Sequence, residues 1–398
     1  MHYLDNSATT KPCDEAITAM RDALDCWGNP SSVYHIGKTA NDALTAYRRT
    51  VAKTLGIQRF SRDRVFFTSC GTESNNIAMT GCILSKKRAP NANGCRGTII
   101  ISAGEHPSID APAARLEEMG YRLVRVPTYR GLLDLGYLES ALDNAVSAAE
   151  PVIFAGFMLV NNETGAIYDV KSASALVKRY FPDANVHCDA VQGYLKLPFT
   201  PYSLGVDTMT VSAHKIHAPR GSAALFVSEN IIKRKNLVPV MPGGGQEEGY
   251  RSGTENLVGT AGFAAAAEVG YSRLSENIAK VNALRKRLND GLAGLSGVGI
   301  AQNIPDGAQL SNIASVRLPG IRSETMLNYL SSREIYVSAG SACSARSKKK
   351  SAALSAFGVS DNDADSTLRV SISHTNDEED IDALCAALRD GTAALQKK

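Results

Sequence analysis

The sequence predicts an α/β fold, a mostly parallel sheet with helices on both faces, plus a smaller α+β domain. Three observations lead there. Short runs such as Thr98–Ser102, Val152–Met158 and Ala223–Val227 are apolar without alternation, as strands covered on both faces are. These runs alternate with helix-length segments, the pattern of β–α units. The chain has 398 residues, more than the roughly 250–300 that one core usually spans. After about residue 255 the texture becomes Ala-rich and helical with weaker strands. The expected division is a large domain over 15–255, and a small one built from 1–14 and 256–398.

Taken in order, residues 12–24 put Ile17, Met20 and Leu24 at helical spacing, and residues 39–55 line up Leu44, Tyr47, Val51 and Leu55 before a stop at Gly56. Between them, residues 27–32 are too rich in turn formers to be an element. Strands follow at 65–68, Thr98–Ser102, 121–126, Val152–Met158, 186–188, 208–211 and Ala223–Val227. Helices are expected after Ser69–Glu73, after His106, and near 137–146 and 171–180. The later part gives helices over 263–269 and 278–295, and strands at 313–318, 335–338 and 368–372.

Composition narrows the function. Hydrophobic residues make up 44% and charged residues 21%, and 43 basic against 40 acidic side chains leave a net charge of +3. That is globular, with no electrostatic case for nucleic acid or a membrane surface. No apolar run reaches 18 residues, so no membrane span is expected. The first residues lack the features of a secretory signal. The eight cysteines, at 13, 26, 70, 82, 95, 188, 343 and 385, form no Cys-x-x-Cys pair. They predict reduced thiols in a cytoplasmic protein with neither a disulfide framework nor a metal site.

The chemistry lies at the strand ends, where open α/β sheets gather ligand groups. Ser212-Ala213-His214-Lys215 follows one strand, Asp189 another and Asn161-Asn162-Glu163 a third. Ser69-Cys70-Gly71-Thr72-Glu73 opens a helix, whose free N–H groups and dipole suit an anion. An anion cradle, a carboxylate and a lysine are what pyridoxal 5'-phosphate requires: the phosphate at the helix start, the acid on the pyridinium nitrogen, the lysine carrying the cofactor as a Schiff base. Gly243–Gly245 is no P-loop, because no Gly-Lys-Ser/Thr follows.

Tyr3–Thr10, residues 67–76 (FTSCGTESNN), Glu105-His106, Asn161–Gly165, His187–Gln192, Ser212–Lys215, Gly243–Glu247, Arg251–Thr254 and Gly340–Cys343 together resemble the cysteine desulfurases, within the class V aminotransferase group of fold-type I pyridoxal phosphate enzymes, whose pattern places the Tyr3–Thr10 segment near the active site. The resemblance covers nearly the whole chain. It implies Lys215 as the cofactor-bearing lysine, Asp189 on the pyridinium nitrogen, Gln192 on the phenolic oxygen, and His106 stacked on the ring and aiding proton transfer. It places Gly71, Thr72, Ser212 and His214 on the phosphate, with Thr254 reaching in from a second subunit of a homodimer. Asn162 and Arg369 would receive the substrate carboxylate, and Cys343 would be the nucleophile that takes sulfur from L-cysteine as a persulfide. A sulfur-acceptor or scaffold protein serving iron–sulfur or thio-cofactor assembly is the implied partner, and the Arg346–Lys350 cluster is more simply a solvated loop.

The bland readings are specific too. His106 could merely satisfy its own helix start, and the seven cysteines other than Cys343 read as packing residues. Ala213, Ala218 and His374 depart from the family pattern. A selenocysteine lyase, another class V aminotransferase, or an idle scaffold that keeps the fold are the alternatives.

Overall fold

The structure, a computed structural model, describes residues 1–57, 64–318, 320–340 and 351–396. Its strands are β1 (His2–Tyr3), β2 (Arg64–Thr68), β3 (Thr98–Ser102), β4 (Arg122–Val126), β5 (Val152–Met158), β6 (Asn185–Asp189), β7 (Thr208–Ser212), β8 (Ala223–Val227), β9 (Ala301–Gln302), β10 (Ile313–Arg317), β11 (Ile335–Tyr336), β12 (Ser338–Ala339) and β13 (Thr367–Ser371). The main sheet runs in the order β2-β8-β7-β6-β5-β3-β4. Only β8 is antiparallel to its neighbours there. The fold is therefore α/β with a mainly parallel sheet.

The uninterrupted apolar runs are explained by two cores. Ile100 and Phe226 join the cluster on one face, while their chain neighbours Ile99, Ile101, Leu225 and Val227 join the cluster on the other. Each fully buried aliphatic or aromatic side chain contributes about 1.5–3 kcal/mol. The edge strand β4, with Arg122 and Arg125 exposed, has only Val126 buried.

A third cluster holds Leu4 together with Leu284, Leu288, Val316, Leu368 and Leu388. It lies on the antiparallel sheet β12-β13-β10-β9, while β1 pairs in parallel with β11. The segment 335–338, expected as one strand, is two. The chain leaves β11 at Val337 and joins a different sheet as β12. Main-chain pairing of Asp5 with Ser371 continues the N-terminal segment along β13, so residues 5–10 run toward the carboxyl ends of the main sheet.

Glu247, the last residue of the Gly-Gly-Gly-Gln-Glu stretch, is a structural anchor. Its buried carboxylate takes both Nη1 (2.5 Å) and Nη2 (2.9 Å) of Arg48, together with the Phe67 amide at 3.0 Å. Glu247 and Glu248 both sit at positive φ, 50° and 55°, a strained pair held by the ion pairs to Arg48 and Arg64. Substituting Glu247 by Ala leaves the Arg48 guanidinium without its buried counter-charge. Urea unfolding should report a loss of about 3–5 kcal/mol.

Candidate active site

Six main-sheet strands end on the same edge, and the loops after five of them line a cavity of about 360 Å³. Gly71 and Thr72 reach it after β2, His106 after β3, Asn162 after β5, Asp189 and Gln192 from β6 onward, and Ser212, His214 and Lys215 from β7. Arg369 enters from β13. Thr254 does not line this cavity. It is exposed on a separate groove beside Trp27 and Asn256. Cys343 and the Arg346–Lys350 cluster lie outside the described residues.

Lys215 Nζ donates to the Ser7 and Ala8 carbonyls at 2.5 and 2.7 Å. The N-terminal segment is thus the wall against which the lysine rests. Gln192 Nε2 donates to the same Ser7 carbonyl at 3.0 Å, and its Oε1 accepts from Lys196 Nζ at 3.1 Å. Burial, then Lys215 and Arg369 nearby, pull the Lys196 ammonium down to about 7. His214 is held neutral, lowered to about 4 by burial and by neighbouring cations, Lys215 foremost.

Asp189 accepts from the Val191 amide at 3.0 Å and from Asn75 Nδ2 at 2.8 Å. His106 caps the helix Pro107–Glu118, its Nδ1 accepting from the Ser108 amide at 3.1 Å. It both starts a helix and faces the cavity. Glu105 beside it is buried, with Oε1 receiving Ser102 Oγ and the Met158 amide, both at 2.6 Å. Burial raises its carboxyl to about 8.

Arg369 has a side chain only 4% exposed, and its Nη2 meets Asp5 Oδ1 at 2.9 Å. Nη1 reaches the Asn162 carbonyl at 3.3 Å. Among the described residues its buried Nε–H has no partner, and neither has the buried Ser212 hydroxyl. Both flanks of 341–350 stand beside this end of the cavity: Ser338 pairs with Arg369, and Ser351 Oγ donates to Glu163 at 2.5 Å.

Cys70 corrects one expectation. It is exposed and lines the cavity, so it is not a packing residue. Cys82, Cys188 and Cys385 are buried. His374, one of the departures, packs its ring 4.6 Å from that of His217 behind the lysine. Asn75, Lys196 and the Ser7 carbonyl are site groups that the sequence reading did not assign. Asn75 and Ser7 lie inside stretches that carry the resemblance, whereas Lys196 has no signal. Among the described residues there is no cluster of three metal-ligating side chains, and no helix is long and apolar enough to cross a membrane.

A lysine and a carboxylate from adjacent strand ends share one cavity with a buried arginine, and the Aminotransferase class-V family model matches residues 2–384, which makes the chain a class V aminotransferase. A NifS/IcsS protein homolog from Lactobacillus delbrueckii subsp. bulgaricus is 35% identical over 391 residues, covering 97% of this chain and 96% of the relative. The cysteine desulfurase NifS of Azotobacter vinelandii is 33% identical, covering 96% and 90%. The crystal structure of a NifS-like protein from Rickettsia africae superposes with a TM-score of 0.85 at 31% identity, covering 99% of both chains. The chain belongs to the cysteine desulfurase family within the class V aminotransferases. Enzymes of that class work with pyridoxal 5'-phosphate.

Proposed function

We propose that this protein is a pyridoxal 5'-phosphate-dependent cysteine desulfurase, which converts L-cysteine to L-alanine and passes the sulfur, held as a persulfide on Cys343, to an acceptor for iron–sulfur cluster or thio-cofactor assembly. The carrying observation is the cavity that Lys215, Asp189 and Arg369 share.

The residues fit the cofactor. The Ser212 hydroxyl is buried without a partner among the described residues. At Gly71 a Cβ would come within 3.2 Å of Val191 Cγ2, so glycine keeps that wall open where an anion meets free N–H groups. Gly71, Thr72, Ser212 and His214 would hold the phosphate, Asp189 the pyridinium nitrogen, Gln192 the phenolic oxygen and Lys215 the carbonyl carbon. Thr254 would serve the site of a second subunit in a homodimer. When bound, the cofactor supplies an electron sink for negative charge at the substrate Cα.

The protein's own groups do the rest. Arg369 and Asn162 hold the substrate carboxylate and so orient the Cα–H bond. Lys215 Nζ moves the α-proton. The Cys343 thiolate attacks the substrate sulfur. An S–S bond forms as the Cβ–S bond breaks, and the electron pair passes to the substrate carbon, which is protonated to the alanine methyl group. L-cysteine and a thiol thereby become L-alanine and a persulfide, with no external oxidant.

The test supplies L-cysteine and a reductant to the cofactor-loaded protein and measures alanine and sulfide together. They should appear in equal amounts. With reductant omitted, peptide mapping should find the extra sulfur on Cys343. A keto acid without sulfide would make it a transaminase, and a colourless protein that leaves cysteine untouched would make it an idle scaffold.

A further inference from the structure

Behind the cavity, six polar groups are wired so that only one arrangement of protons satisfies them. Asn75 Nδ2 lies 2.8 Å from Asp189 Oδ2 and 2.8 Å from Ser108 Oγ. His187 Nε2 lies 3.0 Å from Asn75 Oδ1, and His187 Nδ1 lies 2.9 Å from Thr208 Oγ1. Ser108 Oγ and the Ser108 amide reach His106 Nδ1 at 2.8 and 3.1 Å.

A carboxylate only accepts, so Asn75 must turn its NH₂ toward Asp189, since the flipped amide would set oxygen against oxygen. Its two protons go to Asp189 and Ser108. Its Oδ1 then requires a donor, which makes His187 the Nε2–H tautomer. The wholly buried His187 ring is held neutral, lowered to about 3 by burial. Its bare Nδ1 takes the Thr208 hydroxyl proton. The Ser108 amide can only donate, so His106 Nδ1 is an acceptor there, and the Ser108 hydroxyl proton must point to the same bare nitrogen. That nitrogen therefore receives two hydrogen bonds and carries no proton.

We propose that Asn75 and Ser108 are positioning residues that hold His106 as the Nε2–H tautomer, so that it serves the reaction as a hydrogen-bond donor from Nε2 and not as a base. The inference rests on the desulfurase reading and refines it, because removal of the α-proton then falls to Lys215 alone. Protonating His106 at Nδ1 would set that proton against the Ser108 amide and make the Ser108 hydroxyl turn round to accept. Of the charged groups facing the ring, Asp189 favours the imidazolium and Lys215 opposes it. Burial is the largest influence and keeps the ring below its ordinary range.

The test is nitrogen NMR on the cofactor-loaded protein labelled at its seven histidines, with His106 assigned by loss of its signals in His106→Gln. Between pH 6 and 9, His106 should show a proton on Nε2 and a bare Nδ1, the tautomer ratio exceeding about tenfold. Ser108→Ala, which keeps the amide bond but loses the hydroxyl, should lower that ratio about fivefold or more and lower kcat about tenfold with little change in KM, and Ser108→Thr should restore both. A proton on Nδ1, an imidazolium at pH 7, or a Ser108→Ala tautomer ratio equal to that of the unmutated protein would overturn the proposal. The nitrogen shifts are read without substrate. Failure to desulfurate cysteine would strike the functional reading, and a wrong tautomer only this one.

Discussion

Lys215→Ala should lower sulfide release from L-cysteine by about 10⁴-fold, the upper range for losing a group that transfers a proton, while the protein stays folded. The ammonium touches two main-chain carbonyls, Ser7 and Ala8, both at the cavity wall, where water can replace the lost donor. The stability cost should therefore be near that of one hydrogen bond, about 1 kcal/mol. Cofactor binding should become reversible, because the phosphate and ring contacts remain and only the covalent link is gone. Dialysis should then bleach the variant but not the parent. Lys215→Arg separates charge from chemistry: it can still donate to both carbonyls, yet offers no amine that shuttles protons near neutral pH. It should be as inactive as the alanine variant. Retention of more than a tenth of the parent rate in either would remove Lys215 from its proposed role.

The main sheet was legible because burial on both faces leaves a direct mark on composition. Val152–Met158 is buried along its whole length and reads as one apolar run. Strand direction leaves no such mark, so the antiparallel β8 could be placed in the series but not oriented. The switch of sheets at Val337 was hidden for a related reason: two short strands joined by one residue keep the same apolar texture as a single longer one.

In the site, Asp189 and Lys215 are readable because the first ends β6 and the second lies in the turn right after β7. The groups around them come from far away in the chain. Ser7, which accepts from Lys215, is 208 residues distant, and Arg48 is 199 residues from Glu247. A backbone carbonyl carries no side-chain signature at all. Cys70 misled because cysteine is usually a small buried hydrophobe, whereas its position before a helix start turns it toward the cavity.

Arg369→Met should raise KM for L-cysteine and lower kcat/KM by about 10²–10³-fold, the range for truncating one partner of a buried charge pair. The arginine is divided in its duties. Asp5 takes Nη2 and the Asn162 carbonyl takes Nη1, which fixes the guanidinium plane. The Nε–H, buried and without a partner among the described residues, remains to meet an incoming oxyanion. Arg369→Lys should recover little, since an ammonium cannot hold Asp5 and present a fork to the carboxylate at once. Asp5→Asn is the discriminating control: it keeps Ser338 within reach and can still accept from Nη2, so the arginine stays in place at reduced attraction. Its KM should rise far less than that of Arg369→Met. Equal defects in the two would mean that Arg369 serves mainly to bind Asp5 and hold the N-terminal segment on β13. A KM for Arg369→Met within twofold of the parent would mean that the substrate carboxylate is received elsewhere.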